Sequence, residues 1–92
     1  MAIEFVIADN TIKRIVGSNV LAERLLYNTD SGWRNRLEDC TKFSSLSAAV
    51  EVAGPLREKE ALPLNIMSLN KVGHQMQVGI IEFWVAYTQC HP

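Results

Sequence analysis

Hydrophobic side chains alternate with other residues at the start of the chain, and they are of the β-branched and aromatic types that suit a pleated sheet. One side of this alternation carries Ile3, Phe5 and Ile7. The pattern predicts a strand over residues 2–8. Asp9 and Asn10 tolerate turn geometry, so residues 11–16 predict a second strand that closes a hairpin with the first. A helix beginning at Thr11 is the alternative, because the same residues also fit helical spacing.

The next segment, residues 20–28, contains strong helix formers but lies directly before a polar loop. It fits equally well a short helix capped by Ser18 or Asn19 and a hairpin strand that pairs with residues 33–38. In that second segment one side of the alternation carries Trp33, Asn35 and Leu37, and the other side carries Arg34, Arg36 and Glu38. This alternation predicts a half-exposed strand.

The clearest helical signal lies in the middle of the chain, where apolar residues recur at spacings of three and four. They are Leu46, Ala49, Val52, Ala53 and Leu56. We predict a helix over residues 45–61 that is capped by Ser44 or Ser45 and packs one face on a sheet. Pro55 lies inside this pattern, and an internal proline removes a hydrogen bond and clashes one turn back. The helix is therefore expected to kink or restart there.

Strand patterns return after the helix. Residues 62–69 predict a strand entered through Pro63, and residues 70–73 predict a hairpin loop. Residues 74–89 form the longest strand candidate. Two consecutive isoleucines follow Gly79 and change the alternation, which favours a β-bulge at that position.

Together these elements predict an α+β fold: an antiparallel sheet of four to six strands with one main helix packed on one face. The chain has 92 residues and 48% hydrophobic residues, which is enough for one compact core. We therefore expect a single domain over residues 1–92. It contains no internal repeat and no low-complexity tract.

The charge balance limits the classes of partner. Nine Lys and Arg against ten Asp and Glu leave a net charge of −1, which excludes non-specific attraction to nucleic acid. The longest apolar segment is far shorter than the roughly 20 residues of a membrane-spanning helix. The start of the chain lacks the pattern of a signal peptide, and the two cysteines lie fifty positions apart. We expect free thiols, a cytoplasmic location and no membrane association.

Few residues offer chemistry. The soft metal-ligand candidates are Cys40, His74, Cys90 and His91. They form no spacing that holds two ligands on one local scaffold, so we expect no metal, no cofactor and no catalytic residue. Glu82 lies among hydrophobic residues, and a buried carboxylate is one sign of an active site. A strand period of two instead places Glu82 and Trp84 on the solvent side, opposite Phe83.

A mixed-charge strip is the strongest candidate for a partner-binding site. It consists of Arg34, Arg36, Glu38 and Asp39. Arginine is enriched at protein interfaces and forms bidentate contacts with carboxylates and phosphates. A solvated strand face is the simpler explanation of the same pattern. Exposure of Trp84 and Tyr87 would favour an interface, since both residue types are frequent anchors of binding energy.

Residues 33–69 combine a half-exposed strand, the run Phe43-Ser-Ser-Leu46, an alanine-rich helix and a returning strand. This arrangement resembles small accessory proteins of bacteriophages and mobile elements, among them the anti-CRISPR inhibitors. The resemblance implies a non-catalytic inhibitor that occludes a surface of a host protein or ribonucleoprotein complex of the CRISPR type, in the host cytoplasm.

Two other functions fit the sequence. The first is a structural or regulatory homo-oligomer, a homodimer for example, built through an exposed sheet edge or through the side of the sheet that carries Trp84. The second is a small enzyme whose site is assembled from distant residues, with Glu82, His74 or Cys40 as its members.

Overall fold

The computed structural model describes residues 3–9, 13–16, 19–22, 25–34, 36–60 and 64–91. Within these ranges the strands are β1 (Ile3–Asp9), β2 (Lys13–Val16), β3 (Asn19–Ala22), β4 (Leu25–Asn28), β5 (Gly32–Arg34), β6 (Leu64–Val72) and β7 (Gln75–Glu82). The helices are α1 (Leu46–Glu60) and α2 (Phe83–Cys90), with a 3-10 turn at Leu37–Asp39. This is the α+β class that the sequence predicts.

Five strands form one antiparallel sheet in the order β5-β4-β1-β6-β7, so the first strand of the chain lies at the centre. β1 pairs along its whole length with β6 and at its end with β4. β2 and β3 pair with each other in a separate two-stranded sheet. The predicted hairpin between β1 and residues 11–16 is therefore wrong, although 13–16 is a strand, and the helical alternative from Thr11 is excluded over those four residues. Asp9, predicted in a turn, is the buried last residue of β1.

The two faces of the sheet bury different clusters. Both helices pack on the face that carries Ile7, Leu64 and Ile66, and we call it the helical face. The second face carries a smaller cluster of Val6, Ala8, Leu26, Cys40 and Leu69. Because side chains alternate along a strand, each strand can contribute to both clusters.

Helix α1 begins where the sequence predicts. The Ser45 Oγ accepts a hydrogen bond from the Ala48 N–H at 3.1 Å, which identifies Ser45 as the cap. Of the apolar residues that recur along this helix, Ala49, Ala53 and Leu56 are buried. The helix does not restart at Pro55, which lies within one continuous element. Because Pro55 has no N–H group, the Glu51 carbonyl one turn earlier receives no helical hydrogen bond. Both residues are exposed, so water can donate to that carbonyl instead.

The hairpin of β6 and β7 is tighter than predicted. β6 continues to Val72, so the turn is Gly73 and His74 rather than residues 70–73. Gly73 has a φ of 61°, a left-handed conformation that glycine adopts without strain. The register is unbroken from Asn65↔Glu82 to Val72↔Gln75, so the predicted bulge is absent.

The predicted strand over residues 74–89 ends at Glu82, and the chain continues as α2. Phe83 and Ala86, three positions apart, are buried, which is helical spacing. Trp84 and Val85 are exposed. Among the described residues, neither helix is long and apolar enough to span a bilayer.

Residues 20–28 follow the strand alternative, because Asn19–Ala22 and Leu25–Asn28 are strands. β4 pairs with β5 through the turn before Gly32, which has a φ of 84°. β5 ends at Arg34, so the strand predicted over 33–38 is shorter than expected. The alternation fails there because Leu37–Asp39 turn as a 3-10 helix. Three other predictions lie outside the described residues: the helix cap at Ser18, the position of Asn35 in the strand alternation, and the entry of a strand through Pro63.

Candidate functional site

The mixed-charge strip lies where β5 leaves the sheet. Arg34 ends β5 and pairs with Leu26, so its exposed side chain belongs to the second face. Arg36 precedes the 3-10 turn, and its guanidinium lies 3.0 Å from the Glu38 carboxylate. Both side chains of this ion pair are about two-thirds exposed (68% and 66%), so it contributes at most about 1 kcal/mol to stability. Strand alternation places only Arg34, as the sequence predicted. Arg36, Glu38 and Asp39 are placed by the 3-10 turn instead.

Hydrogen bonds from neighbouring side chains anchor the backbone of the strip. The Asn28 Nδ2 donates a hydrogen bond to the Asp39 carbonyl at 2.7 Å. The Cys40 thiol donates to the Leu37 carbonyl at 3.0 Å, and the Lys42 Nζ donates to the same carbonyl at 3.2 Å. Asp39 itself is half-buried. The strip is therefore a charged surface with its backbone anchored, and Arg34, Arg36 and Glu38 project into solvent.

A second candidate surface lies where α1 meets α2, and the sequence did not predict its geometry. The aromatic rings of α2 follow one another: the Phe83 and Trp84 centroids are 5.1 Å apart and the Trp84 and Tyr87 centroids 5.7 Å apart. The ring of His91 continues the series at 4.4 Å from Tyr87. Phe83 is buried and anchors the series to the core, while 48% of Trp84 and 40% of Tyr87 remain exposed.

Arg57 of α1 reaches across to these rings. Its guanidinium carbon lies 4.6 Å from the Trp84 centroid and 5.6 Å from the Phe83 centroid. Both distances are within the range of cation–π attraction, which is strongest over tryptophan. Among the described residues, the Arg57 guanidinium forms no hydrogen bond and no ion pair. Its position is fixed by stacking, while its N–H donors remain available to another molecule.

The rings and the guanidinium border a shallow cavity of about 110 Å³. The residues that line it are Gly54, Arg57, Glu58, Phe83, Trp84 and Tyr87. We call this set the Arg57–Trp84 surface. A planar cation on aromatic walls matches a carboxylate-bearing side chain, because the guanidinium can bind both oxygens while the rings contact the apolar stem. Trp, Tyr and Arg are also the residue types that most often supply binding energy at protein interfaces.

The residues proposed for metal or catalytic chemistry lie apart. In the part of the chain that the structure describes, no three His, Cys, Asp or Glu side chains converge on a possible metal position. His74 lies in the turn before β7 and Glu82 at the far end of that strand, and Cys40 is buried on the second face. Burial raises the pKa of the Cys40 thiol above its ordinary value, although the positive charge of Lys42 opposes this effect. The described geometry does not bring Glu82, His74 and Cys40 together.

Glu82 has a structural role instead. One of its carboxylate oxygens accepts hydrogen bonds from the Trp84 and Val85 N–H groups at 3.1 and 3.3 Å. It therefore caps the N-terminus of α2 and ends the strand. This cap turns the next residue, Phe83, into the core and leaves Trp84 beside Arg57.

No protein-family model matches the chain, and comparison with curated proteins and with solved structures returned no significant similarity. Its function therefore has to be inferred from its own geometry.

Proposed function

We propose that this chain is a non-catalytic protein-binding module that docks through the Arg57–Trp84 surface. One observation carries the proposal: a guanidinium without a hydrogen-bond or ion-pair partner among the described residues lies stacked on a half-exposed tryptophan beside a cavity. A partner that inserts a carboxylate would satisfy the guanidinium and cover the rings in the same step. Both changes favour binding, since charge-assisted hydrogen bonds are strong and buried aromatic area supplies hydrophobic free energy.

The partner that we propose is a protein component of a host nucleoprotein complex, which the chain inhibits by occlusion. The resemblance of residues 33–69 to phage and mobile-element inhibitors supports this class of partner. A near-neutral chain has no long-range field to compete for nucleic acid directly, so contact with the protein component is the more effective route. Occlusion requires a rigid surface of matching shape and no catalytic group.

The experiment compares four tagged forms of the chain: wild type, Arg57→Gln, Trp84→Ala and the matched control Glu51→Ala. Glu51 is also exposed on α1 but does not line the cavity. Bacterial lysate is passed over each form, with and without nuclease treatment, and captured proteins are quantified by mass spectrometry. We expect wild type and Glu51→Ala to capture the same nucleoprotein component, and the two other variants to capture at least about tenfold less, equivalent to roughly 1.4 kcal/mol.

Two further measurements complete the test. Melting temperatures separate loss of binding from loss of fold, because the Arg57–Trp84 contact at this partly exposed site contributes only about 0.5–1 kcal/mol to stability. The captured complex is then purified, and its binding to nucleic acid is measured with and without the chain. Equal capture by all four folded forms would contradict the binding surface. Unchanged nucleic-acid binding in the presence of the chain would contradict the inhibitory role.

A further inference from the structure

The two edges of the five-stranded sheet are very different. β5 at one edge has three residues and ends in the exposed Arg34. β7 at the other edge has eight residues and carries no charged side chain before Glu82. Natural sheets protect their edges with short strands, charges, prolines or bulges. β5 has the first two of these devices, and β7 has none of the four over Gln75–Ile81, where its register with β6 is also regular.

β7 also exposes a row of apolar side chains on the second face of the sheet. Met76, Val78 and Ile80 are 46%, 51% and 54% exposed. They share that face because Val78 and Ile80 lie directly opposite Leu69 and Met67 of β6, which belong to the second cluster. An apolar row beside an unprotected edge indicates an interaction surface, since no described strand pairs with the outer side of β7 and these side chains are about half exposed.

We propose that β7 pairs with β7 of a second copy of this chain, antiparallel about a two-fold axis at Val78. A two-fold axis perpendicular to the sheet keeps the apolar rows of both copies on the same side. With the axis at Val78, Met76 faces Ile80 of the second copy, and Val78 faces its own equivalent. The result is a continuous antiparallel sheet of ten strands, five from each copy.

This register also matches the polar ends of the strand. It places His74, in the turn before β7, opposite Glu82 of the second copy, once at each end of the paired segment; the α2 cap uses one oxygen of that carboxylate and leaves the other for this contact. An imidazole N–H can donate to a carboxylate, so both ends become complementary. No like charges meet across the pairing, because Gln75–Ile81 contains no charged residue. The strand is thus complementary to itself in charge as well as in its apolar row.

Single-cysteine crosslinking tests both the pairing and its register. Residues directly opposite in an antiparallel pair have Cα atoms about 4.5–5.5 Å apart, which a disulfide can bridge. We expect Val78→Cys to form a covalent dimer under mild oxidation. Met76→Cys and Ile80→Cys should each remain monomeric alone, since their equivalents lie about 13 Å apart along the strands. Mixed with each other, these two should form a disulfide-linked heterodimer, visible when one carries a tag of different mass.

The background for these variants is Cys90→Ser. Cys40 is retained because it is buried. Equal dimer yields from all three single variants, or no dimer from Val78→Cys, would overturn the register and with it the proposal.

Sedimentation of the unmodified chain gives the second readout. We expect a concentration-dependent dimer between about 5 and 500 μM, a range suited to an interface smaller than the standard size. Val78→Lys should abolish the dimer without lowering the melting temperature measured at the lowest concentration, where the wild type is also monomeric, and Arg34→Ala at the opposite edge should leave the dimer intact. A pure chain that stays monomeric throughout, as it would if a strand of a different protein occupied this edge, would overturn the proposal. So would a dimer that Val78→Lys does not weaken.

Discussion

Ser68 of β6 and Gly79 of β7 lie directly opposite each other, and the Ser68 Oγ is 2.6 Å from the position that a Cβ on residue 79 would occupy. This close approach, rather than a bulge, explains the glycine. Its φ is not in the left-handed region, so the backbone alone would accept another residue. The constraint comes from one hydroxyl group.

We expect Gly79→Ala to lower the free energy of unfolding by about 1 kcal/mol, because the Ser68 side chain must leave its rotamer. In a Ser68→Ala background the same change should be neutral or stabilising. The Ser68 Cβ would lie 4.0 Å from the new methyl group, an ordinary contact. Urea denaturation of the four forms of this double-mutant cycle gives the coupling. An equal loss in both backgrounds would show that the hydroxyl is not the cause.

The buried stripe of α1 predicts a large difference between two neighbouring substitutions. Leu56 is 8% exposed within the main core, whereas Glu58 is exposed. Leu56→Asp buries an unpaired carboxylate and should cost several kcal/mol, and Glu58→Ala should change stability by less than about 0.5 kcal/mol. Thermal unfolding followed by circular dichroism measures both. Similar melting temperatures for the two variants would place Leu56 outside the core.

The two cysteines should differ in reactivity. Burial raises the pKa of the Cys40 thiol, and the thiol also donates a hydrogen bond to Leu37. Cys90 is partly exposed near the end of α2. In a thiol-exchange assay under native conditions we expect Cys90 to react first and Cys40 only at the rate of local opening. Cys90→Ser, which removes the fast phase, is the control; a fast phase that persists in it would contradict the assignment.

The raised pKa of Cys40 also makes the free energy of unfolding depend on pH. The neutral thiol is favoured in the folded state, so its contribution to stability is fully present at pH values below the ordinary pKa of a cysteine thiol. It is lost as pH rises through the higher folded value. Denaturation between pH 7 and 10 should therefore show an alkaline loss that is smaller in Cys40→Ala. Parallel pH profiles for the two proteins would remove this thiol as the cause.

The mixed-charge strip, the other candidate surface, can be tested by removing its two arginines. Arg34→Ala with Arg36→Ala should leave the melting temperature nearly unchanged, because both side chains are exposed and the Arg36–Glu38 pair contributes little. If the strip contacts the partner directly, the double variant should mainly raise the dissociation rate in surface plasmon resonance. A change confined to the association rate and its salt dependence would instead indicate steering. Unchanged affinity would identify the strip as a solvated surface.

The element predicted best is α1, which buries one side only. Its period is clear because polar residues interrupt the apolar ones on its outer side. β1 is buried on both faces over its second half, and it was predicted because its residues are of the β-branched and aromatic types that suit a sheet. The strand prediction for residues 83–87 is wrong because the run Phe-Trp-Val-Ala-Tyr is apolar at every position and fits either period. Glu82 was the available signal, since a carboxylate one residue before such a run can cap a helix.

The two candidate surfaces were also predicted only in part. The residues of the mixed-charge strip could be named from the sequence, but their arrangement could not, because the 3-10 turn at Leu37–Asp39 interrupts the strand. The contact of Arg57 with Trp84 depends on how α1 and α2 meet on the helical face. That packing is set by buried side chains from several elements, and no local pattern encodes it.

The central place of β1 governs the order in which the sheet can form. β1 pairs with β6 over all seven of its residues, from Ile3↔Asn70 to Asp9↔Leu64, across a loop of about 60 residues. Closing so long a loop costs chain entropy before any pairing compensates for it, which slows folding. During synthesis β1 leaves the ribosome long before β6. The nascent chain must therefore carry β1 with at most its end paired, to β4, until β6 has been made, and the sheet is completed only after that.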